Sequence, residues 1–316
     1  MSDFKRRSFI KTGALGTMAL TMLPGLSGYV SSLEPTAGPR FRISLAQWSL
    51  HRALRSKSLD HLDFSRKAAL DFGIYGVEYV NTFFKDKALD SQYLAEMNAR
   101  AEDAGVKQLL IMIDGEGGLA ELDDTTRKAA VTNHYKWVEA AKTLGCHSIR
   151  VNAYGVSDDA AALHSAAVDG LGMLATFAAN VGINVIVENH GGLSSDGKWL
   201  SGVIKEINMP GCGTLPDFGN FCLRHTDDGK GHSSCVEEYD RYLGVEELMP
   251  FAKAVSAKSY DFDASGTETT IDFQRMITIV KKSGYKGYLG IEYEGSRLSE
   301  VDGIKATKKL LEQLIA

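Results

Sequence analysis

From Arg40 to the C-terminus the chain alternates between two hydrophobic periods. Short runs rich in Val, Ile and Leu have the length and β-branched character of strands. Between them, apolar residues recur every three or four positions, as on one face of a helix. Leu94, Met97, Ala101 and Ala104 form one such stripe, Val131, Tyr135, Val138 and Ala141 a second, and Phe273, Ile277 and Val280 a third. Glycine closes the helical segments in DFGIYG, EDAGVK, KTLGCH, ANVGIN and KSGYKG, where a left-handed C-cap is wanted. The strands predicted this way are Ile43–Ser49, Gly76–Val80, Gln108–Ile113, Ser148–Asn152, Asn184–Glu188, Gly213–Asp217, Ala254–Ser259 and Tyr288–Tyr293. Eight strands, each followed by a helical segment, predict an α/β protein with one (β/α)8 TIM barrel over residues 39–316. No GxGxxG follows a strand, so a dinucleotide-binding Rossmann fold is excluded.

The first 38 residues read differently. Lys5-Arg6-Arg7-Ser8-Phe9-Ile10-Lys11 precedes a weakly apolar stretch, Ala14 to Leu26, broken by Pro24. This resembles a twin-arginine export signal. It predicts export of the folded protein to the periplasm by the twin-arginine machinery, with residues 1–38 as signal and linker. The apolar run is shorter than the roughly 20 residues that span a bilayer, so no stable membrane span is expected. The four cysteines show no CxxC and no zinc-finger spacing. An oxidising compartment would allow Cys222 and Cys235 to pair across the polar loop they bracket. Of the 316 residues, 44% are hydrophobic and 24% charged, which suits a large buried core and not a disordered chain. A net charge of −5 without a long basic run argues against a nucleic-acid partner and turns attention to small molecules.

In such barrels chemistry sits at the C-terminal strand ends, and nearly every strand here ends in ionisable or amide groups. Strand one runs into Gln47-Trp48, strand two carries Glu78, and strand three leads to Asp114. Arg150 and Asn152 follow on strand four, and Glu188-Asn189-His190 on strand five. Asp217 and Asn220 lie after strand six, Lys258 on strand seven, and Glu292 with Glu294 on strand eight. The period of two puts Glu188 with His190, Arg150 with Asn152, and Glu292 with Glu294 on shared faces. Glu188 follows the apolar run Val185-Ile186-Val187. A carboxylate in such a wall must be paired, metal-bound or shifted in pKa. Plainer readings stand beside these: ion pairs with Arg150 or Lys258 for the glutamates, an Asx turn into Phe218-Gly219-Asn220 for Asp217, and an orienting role for His190.

VIVENHGG, LPDFGNF, AVSAKSYDFD and GYLGIEYEG resemble the xylose isomerase-like TIM barrels of the sugar isomerase and epimerase group, from about Arg40 to the C-terminus. The resemblance implies a divalent cation (manganese, cobalt, magnesium or zinc) held by Glu, Asp, His and Glu at the ends of strands five to eight. On this chain Glu188, Asp217 and Glu292 take the positions of the three acids, with His190 as a helper and Glu188 and Glu292 as acid and base. The chain departs from the pattern at Lys258, which stands where the family often has its strand-seven histidine. A protonated lysine cannot ligate a metal. Three outcomes stay open: a cation held by carboxylates with His190, a metal-free site charged by Lys258, or Lys258 as proton shuttle.

The expected chemistry is proton abstraction next to a carbonyl, giving isomerisation or epimerisation of a sugar. Export favours an unphosphorylated one. With a glycosidic oxygen β to the carbonyl, the same carbanion would eliminate it, so a lyase or hydrolase of 3-keto glycosides is the alternative. Gln47, Trp48, Glu78, Asn152 and Asn220 are the expected substrate contacts. A non-catalytic periplasmic carbohydrate-binding protein would also explain export but usually has two lobes. A metal-dependent DNA endonuclease barrel is opposed by the acidic balance.

Overall fold

The computed structural model describes residues 40–227 and 233–316; the export motif and the 1–38 boundary lie outside them. Ten strands are seen among these residues: β1 Phe41–Ala46, β2 Gly76–Val80, β3 Lys107–Met112, β4 Ser148–Val151, β5 Asn184–Glu188, β6 Cys212–Leu215, β7 Cys222–Asp227, β8 Ser233–Glu238, β9 Val255–Ser259 and β10 Gly287–Tyr293. Eight of them form one parallel sheet in the order β6-β5-β4-β3-β2-β1-β10-β9. Parallel bridges Thr214–Ala252 and Asp217–Ser256 join its two ends. The predicted (β/α)8 barrel is therefore present.

The helices are α1 His51–Arg55, α2 Phe64–Phe72, α3 Ser91–Asp103, α4 Asp124–Thr143, α5 Ala160–Ala179, α6 Gly197–Ile207, α7 Arg241–Leu248, α8 Phe273–Lys282 and α9 Glu300–Ile315. An acceptor side chain caps the first turn of each of the last seven: Asp90, Asp123, Asp159, Asp196, Asp240, Asp272 and Ser299. Each cap satisfies amides that the helix itself leaves unpaired, and losing one costs about 1 kcal/mol. Helix α5 is long and apolar enough to cross a membrane by composition alone. Its buried face, with Leu163, Leu171, Leu174 and Ala178, belongs to the shell around the barrel.

Strand alternation sorts the core into two parts. Outward residues such as Val185, Val187, Ile149, Val255, Leu289 and Ile291 pack under the helices in the larger cluster. Inward apolar residues Ala46, Val80, Leu110, Met112, Ile186, Leu215 and Ala254 form a small plug inside the barrel. The remaining inward positions near the strand ends are polar, and this is where the charges collect.

Three sequence expectations need correction. Strand one stops at Ala46, and Gln47–Leu50 wind into a 3-10 turn, so Gln47 and Trp48 lie beyond the strand. Strand six stops at Leu215 because Pro216 has no N–H for the ladder, which leaves Asp217 on the isolated bridge. After strand six comes an antiparallel hairpin, β7–β8, closed by a Cys222–Cys235 disulfide with Cα atoms 5.7 Å apart. It was expected to be a polar loop. Its strands lie outside the barrel core and are exposed over much of their length, so no buried apolar face marks them in the sequence.

Candidate active site

The period-two pattern at the end of β5 turns Ile186 and Glu188 inward, and the chain must then leave the barrel wall at once. Gly191 and Gly192 permit this, at φ of 90° and 59°, which L side chains rarely adopt. Glu188, Asp217 and Glu292 converge inside: each is buried, and each offers an oxygen within 4.8 Å of the others. His190 is not part of this group. It is exposed, and its backbone N–H donates to Ser194 Oγ at 3.0 Å. The expected ligand set thus contracts to three carboxylates, because His190 has already passed the strand end where the chain turns outward.

Two buried cations divide the acids. Arg150 Nη1 donates to Asp114 Oδ1 at 2.8 Å, and Arg150 Nε lies 2.7 Å from Glu188 Oε2. That second contact is an ion pair not aligned as a hydrogen bond. Lys258, paired in register with Glu292, reaches Glu292 Oε1 at 3.0 Å and Glu294 Oε2 at 2.9 Å, and donates to Asn220 Oδ1 at 3.1 Å. Its ammonium thus sits between two carboxylates as ion pairs and makes one hydrogen bond, to Asn220. Asn220 joins the two sides by also donating from Nδ2 to Glu188 Oε1 at 2.9 Å. The ion-pair alternatives for Glu188 and Glu292 are both realised in the geometry.

Asp217 is held hardest. Its Oδ1 accepts from the Gly219 and Asn220 amides, each at 2.8 Å, and its Oδ2 from Ser256 Oγ at 2.5 Å. Asn189 clamps its backbone from both sides, accepting from its N–H and donating to its C=O. The Asx turn foreseen for Asp217 is present, and the acid still faces the cluster. Ser256 was missed, although it stands two residues before Lys258 and so shares its face. Asn189 was named as a strand-end residue, but nothing in the sequence signals its clamp.

Burial works against the charge on Lys258, but Asp217, Glu292 and Glu294 outweigh it and raise the ammonium well above its usual range. For Asp217 and Glu292 burial is the stronger influence, so both carboxyls are pushed up despite Lys258. Glu294 is also pushed up by burial, yet Lys258 and Trp48 Nε1 bring it below the usual range. Burial likewise opposes the charge on Asp114, but Arg150 and Asn152 hold it down to about 2. Arg150, desolvated but flanked by Asp114 and Glu188, is raised.

The five expected substrate contacts fall into two groups. Gln47 and Glu78 are fully buried structural neighbours of the cluster. Gln47 Oε1 accepts from the Val80 amide at 2.9 Å, and Glu78 Oε1 accepts from Ser44 Oγ at 2.6 Å. Glu78 fills the space beside Gly290, where a Cβ would come within 2.6 Å of its Oε1. Burial, with the charges of Glu292 and Glu188 acting in the same direction, pushes Glu78 up to about 7 against the Ser44 hydrogen bond. Trp48, Asn152 and Asn220 are half-buried. Trp48 hydrogen-bonds Glu294, while Asn152 and Asn220 line two cavities at the mouth.

Fold and site together define a (β/α)8 barrel protein with a buried acidic centre at the mouth formed by the C-terminal strand ends. Residues 66–314 match the family described as xylose isomerase-like TIM barrel, and the chain belongs to that family. Several solved structures share the fold. A D-psicose 3-epimerase from Clostridium cellulolyticum H10, solved with D-tagatose, superposes with a TM-score of 0.67 at 11% identity, covering 87% of this chain and 99% of that one. A 3-keto-D-glucoside 4-epimerase from E. coli gives 0.59 at 14% identity, with 87% and 99% covered. A xylose isomerase-like TIM barrel protein from Mycobacterium smegmatis, in complex with magnesium, gives 0.59 at 16% identity, with 87% and 96% covered. In sequence, the α subunit of a C-glycoside deglycosidase from Arthrobacter globiformis is 41% identical over 66 residues. That match spans 20% of this chain and 19% of the relative.

Proposed function

We propose that the protein is a sugar isomerase or epimerase that moves a proton at the carbon next to a carbonyl, on an unphosphorylated sugar, in the periplasm. The observation that carries this reading is the convergence of two buried glutamates: Glu292 Oε2 accepts no hydrogen bond, and Glu188 Oε2 meets Arg150 Nε at 2.7 Å without an aligned hydrogen bond. A buried carboxylate oxygen left without a donor, as at Glu292, is costly and marks where a proton, a cation or a substrate group belongs. The epimerase neighbours and the family support the same class of reaction.

The donor set fits a divalent cation. Three carboxylates converge, Glu292 Oε2 accepts no hydrogen bond, and burial has pushed Asp217 and Glu292 toward protonation, which a cation would reverse. Glu188, Asp217 and Glu292 would hold it through hard oxygen ligands, without His190 or Lys258. When bound, such an ion supplies charge that acidifies the C–H next to a carbonyl.

The chain's own groups divide the remaining work. One glutamate takes the proton, leaving the C–H electron pair delocalised onto the carbonyl oxygen, and the other returns a proton to the opposite face or to the neighbouring atom. Glu292, whose Oε1 is fixed by Lys258, exchanges protons at Oε2. Glu188 is oriented by Arg150 and Asn220. Lys258 acts as a positioning residue, since its ammonium is held between Glu292, Glu294 and Asn220 and is stabilised, not loosened. Asn220, fixed between the two sides, keeps the glutamates in register.

Turnover of unphosphorylated ketoses and keto glycosides in D2O tests the mechanism. Deuterium should enter the product at the carbon next to the carbonyl, and Glu292→Gln should lower kcat by about a thousandfold. Product formed without solvent deuterium would rule out proton transfer through these acids. A second reading, elimination from 3-keto glycosides by the same carbanion, is favoured by the likeness to a 3-keto-glucoside epimerase and a C-glycoside deglycosidase subunit. It would show as release of the aglycone.

A further inference from the structure

Two cavities of about 410 and 430 Å³ flank His190 and Gly191, which line both of them. The second is lined by Asn220, Gly219 and Tyr260 and so adjoins the acids, because Asn220 bonds both Glu188 and Lys258. The first lies over Asn152 and is walled by Tyr154, Trp199 and Leu223. Each alone is near the lower end of the range of about 300–1,000 Å³ that small-ligand sites occupy. A one-ring sugar seated over the acids would leave the Trp199 cavity unused.

We propose that the Trp199 cavity is a subsite for a second ring, so that the enzyme's substrate is a glycoside with a sugar or aromatic group attached to the reacting sugar. This deepens the proposed function and rests on it. Three observations carry the inference. The cavity joins the acid site through shared walls, His190 and Gly191. It is also tied to the site by a chain of polar contacts: Asn152 donates to Asp114, and Arg150, which binds Asp114, also pairs with Glu188. Its lining includes two aromatic side chains suited to the face of a ring. Tyr154 is 58% exposed and makes no ring–ring contact among the described residues. Trp199 has its indole N–H engaged by Ala160 O at 3.1 Å.

The β7–β8 hairpin contributes to both cavities, Leu223 to the first and the Cys222–Cys235 disulfide to the second. The disulfide therefore ties together the strands that form the outer wall above His190. This places the hairpin as the element that sets how long a substrate can be.

Binding to the unreactive Glu292→Gln protein, read by titration calorimetry, separates this inference from the mechanism. The probes are a one-ring keto sugar and the corresponding phenyl and glucosyl glycosides. The second ring is expected to tighten binding by about ten-fold or more. Trp199→Ala should reduce that gain to about three-fold or less, and Trp199→Phe, which keeps an aromatic face, should restore much of it. Equal affinity for one- and two-ring ligands, or a gain that survives Trp199→Ala, would overturn the subsite and leave the proton-transfer reading standing. Failure of the wild-type protein either to bind or to turn over any of these sugars would overturn both.

Discussion

Each side of the barrel mouth sets one buried cation between two carboxylates, Arg150 between Asp114 and Glu188, and Lys258 between Glu292 and Glu294. The difference lies in what surrounds them. A guanidinium stays charged and presents a rigid fork, and on its side Asp114 is held down to about 2. The Lys258 side carries a further acid, Asp217, with no cation of its own. There burial outweighs Lys258 and pushes both Asp217 and Glu292 toward protonation. Similar charge thus holds Asp114 ionised on one side and leaves Asp217 and Glu292 pushed toward protonation on the other. Asn220 couples the two.

The largest effect is expected from removing the lysine charge. Lys258→Met leaves Asp217, Glu292 and Glu294 without their common cation. Breaking a buried pair in this way costs about 3–5 kcal/mol, and kcat/KM should fall by about a thousandfold or more because Glu292 loses its anchor. Denaturant unfolding and steady-state kinetics measure both. Activity within about ten-fold of wild type would show that the Lys258 side does not carry the proton chemistry.

On the other side the loss should be smaller and of another kind. Arg150→Lys keeps a positive charge but loses the fork that reaches Asp114 and Glu188 together, and kcat/KM should fall by about 10- to 100-fold without a change in the shape of its pH profile. An altered profile would mean that Arg150 sets the ionisation of the site and not only its geometry. Stability supplies a second reading through Arg150→Met. Asp114 is depressed from 3.8 to about 2 in the folded protein. Its contribution is therefore complete above pH 4 and is lost as the pH falls through 2. The stability gap between Arg150→Met and wild type should be largest near neutrality and should narrow between pH 4 and pH 2.

The eight barrel strands are legible because both their faces are buried, one under the helical shell and one in the barrel plug, which leaves short continuous apolar runs, and the glycine returns mark their spacing. The Asp caps are equally present in the sequence, each just before a helical stripe, and mark the helix starts as the glycines mark their ends. The hairpin β7–β8 left no such trace, since nothing buries it. At the site, strand-end position found Glu188, Asp217, Glu292, Lys258 and Asn220. It does not show which way the chain turns after β5, so the sequence groups His190 with acids that the exposed side chain stands apart from. Nor could it give the layer at which a residue sits. Gln47 and Glu78 read as rim residues, yet the 3-10 turn and the side-chain gap at Gly290 bury them.

Glu78 gives the smallest expected effect on turnover and the clearest effect on stability. It interacts with both sides, since the charges of Glu292, Glu188 and Arg150 all act on it. Its pKa is raised from 4.5 to about 7, so the folded state keeps this proton where the unfolded chain has lost it. The stability linked to Glu78 is complete below pH 4.5 and declines as the pH rises through 7, for a total of up to about 3 kcal/mol. Glu78→Gln carries no titrating proton and can still accept from Ser44. The variant should match wild type near pH 4.5 and exceed it by about 2–3 kcal/mol at pH 8, with kcat lowered less than about ten-fold because Glu78 lies under the acids and not at the substrate. Urea unfolding across this pH range measures the crossover. A stability difference that does not change with pH would mean that Glu78 is already charged at neutrality, and that the two sides of the mouth are not set apart by a neutral carboxyl beneath them.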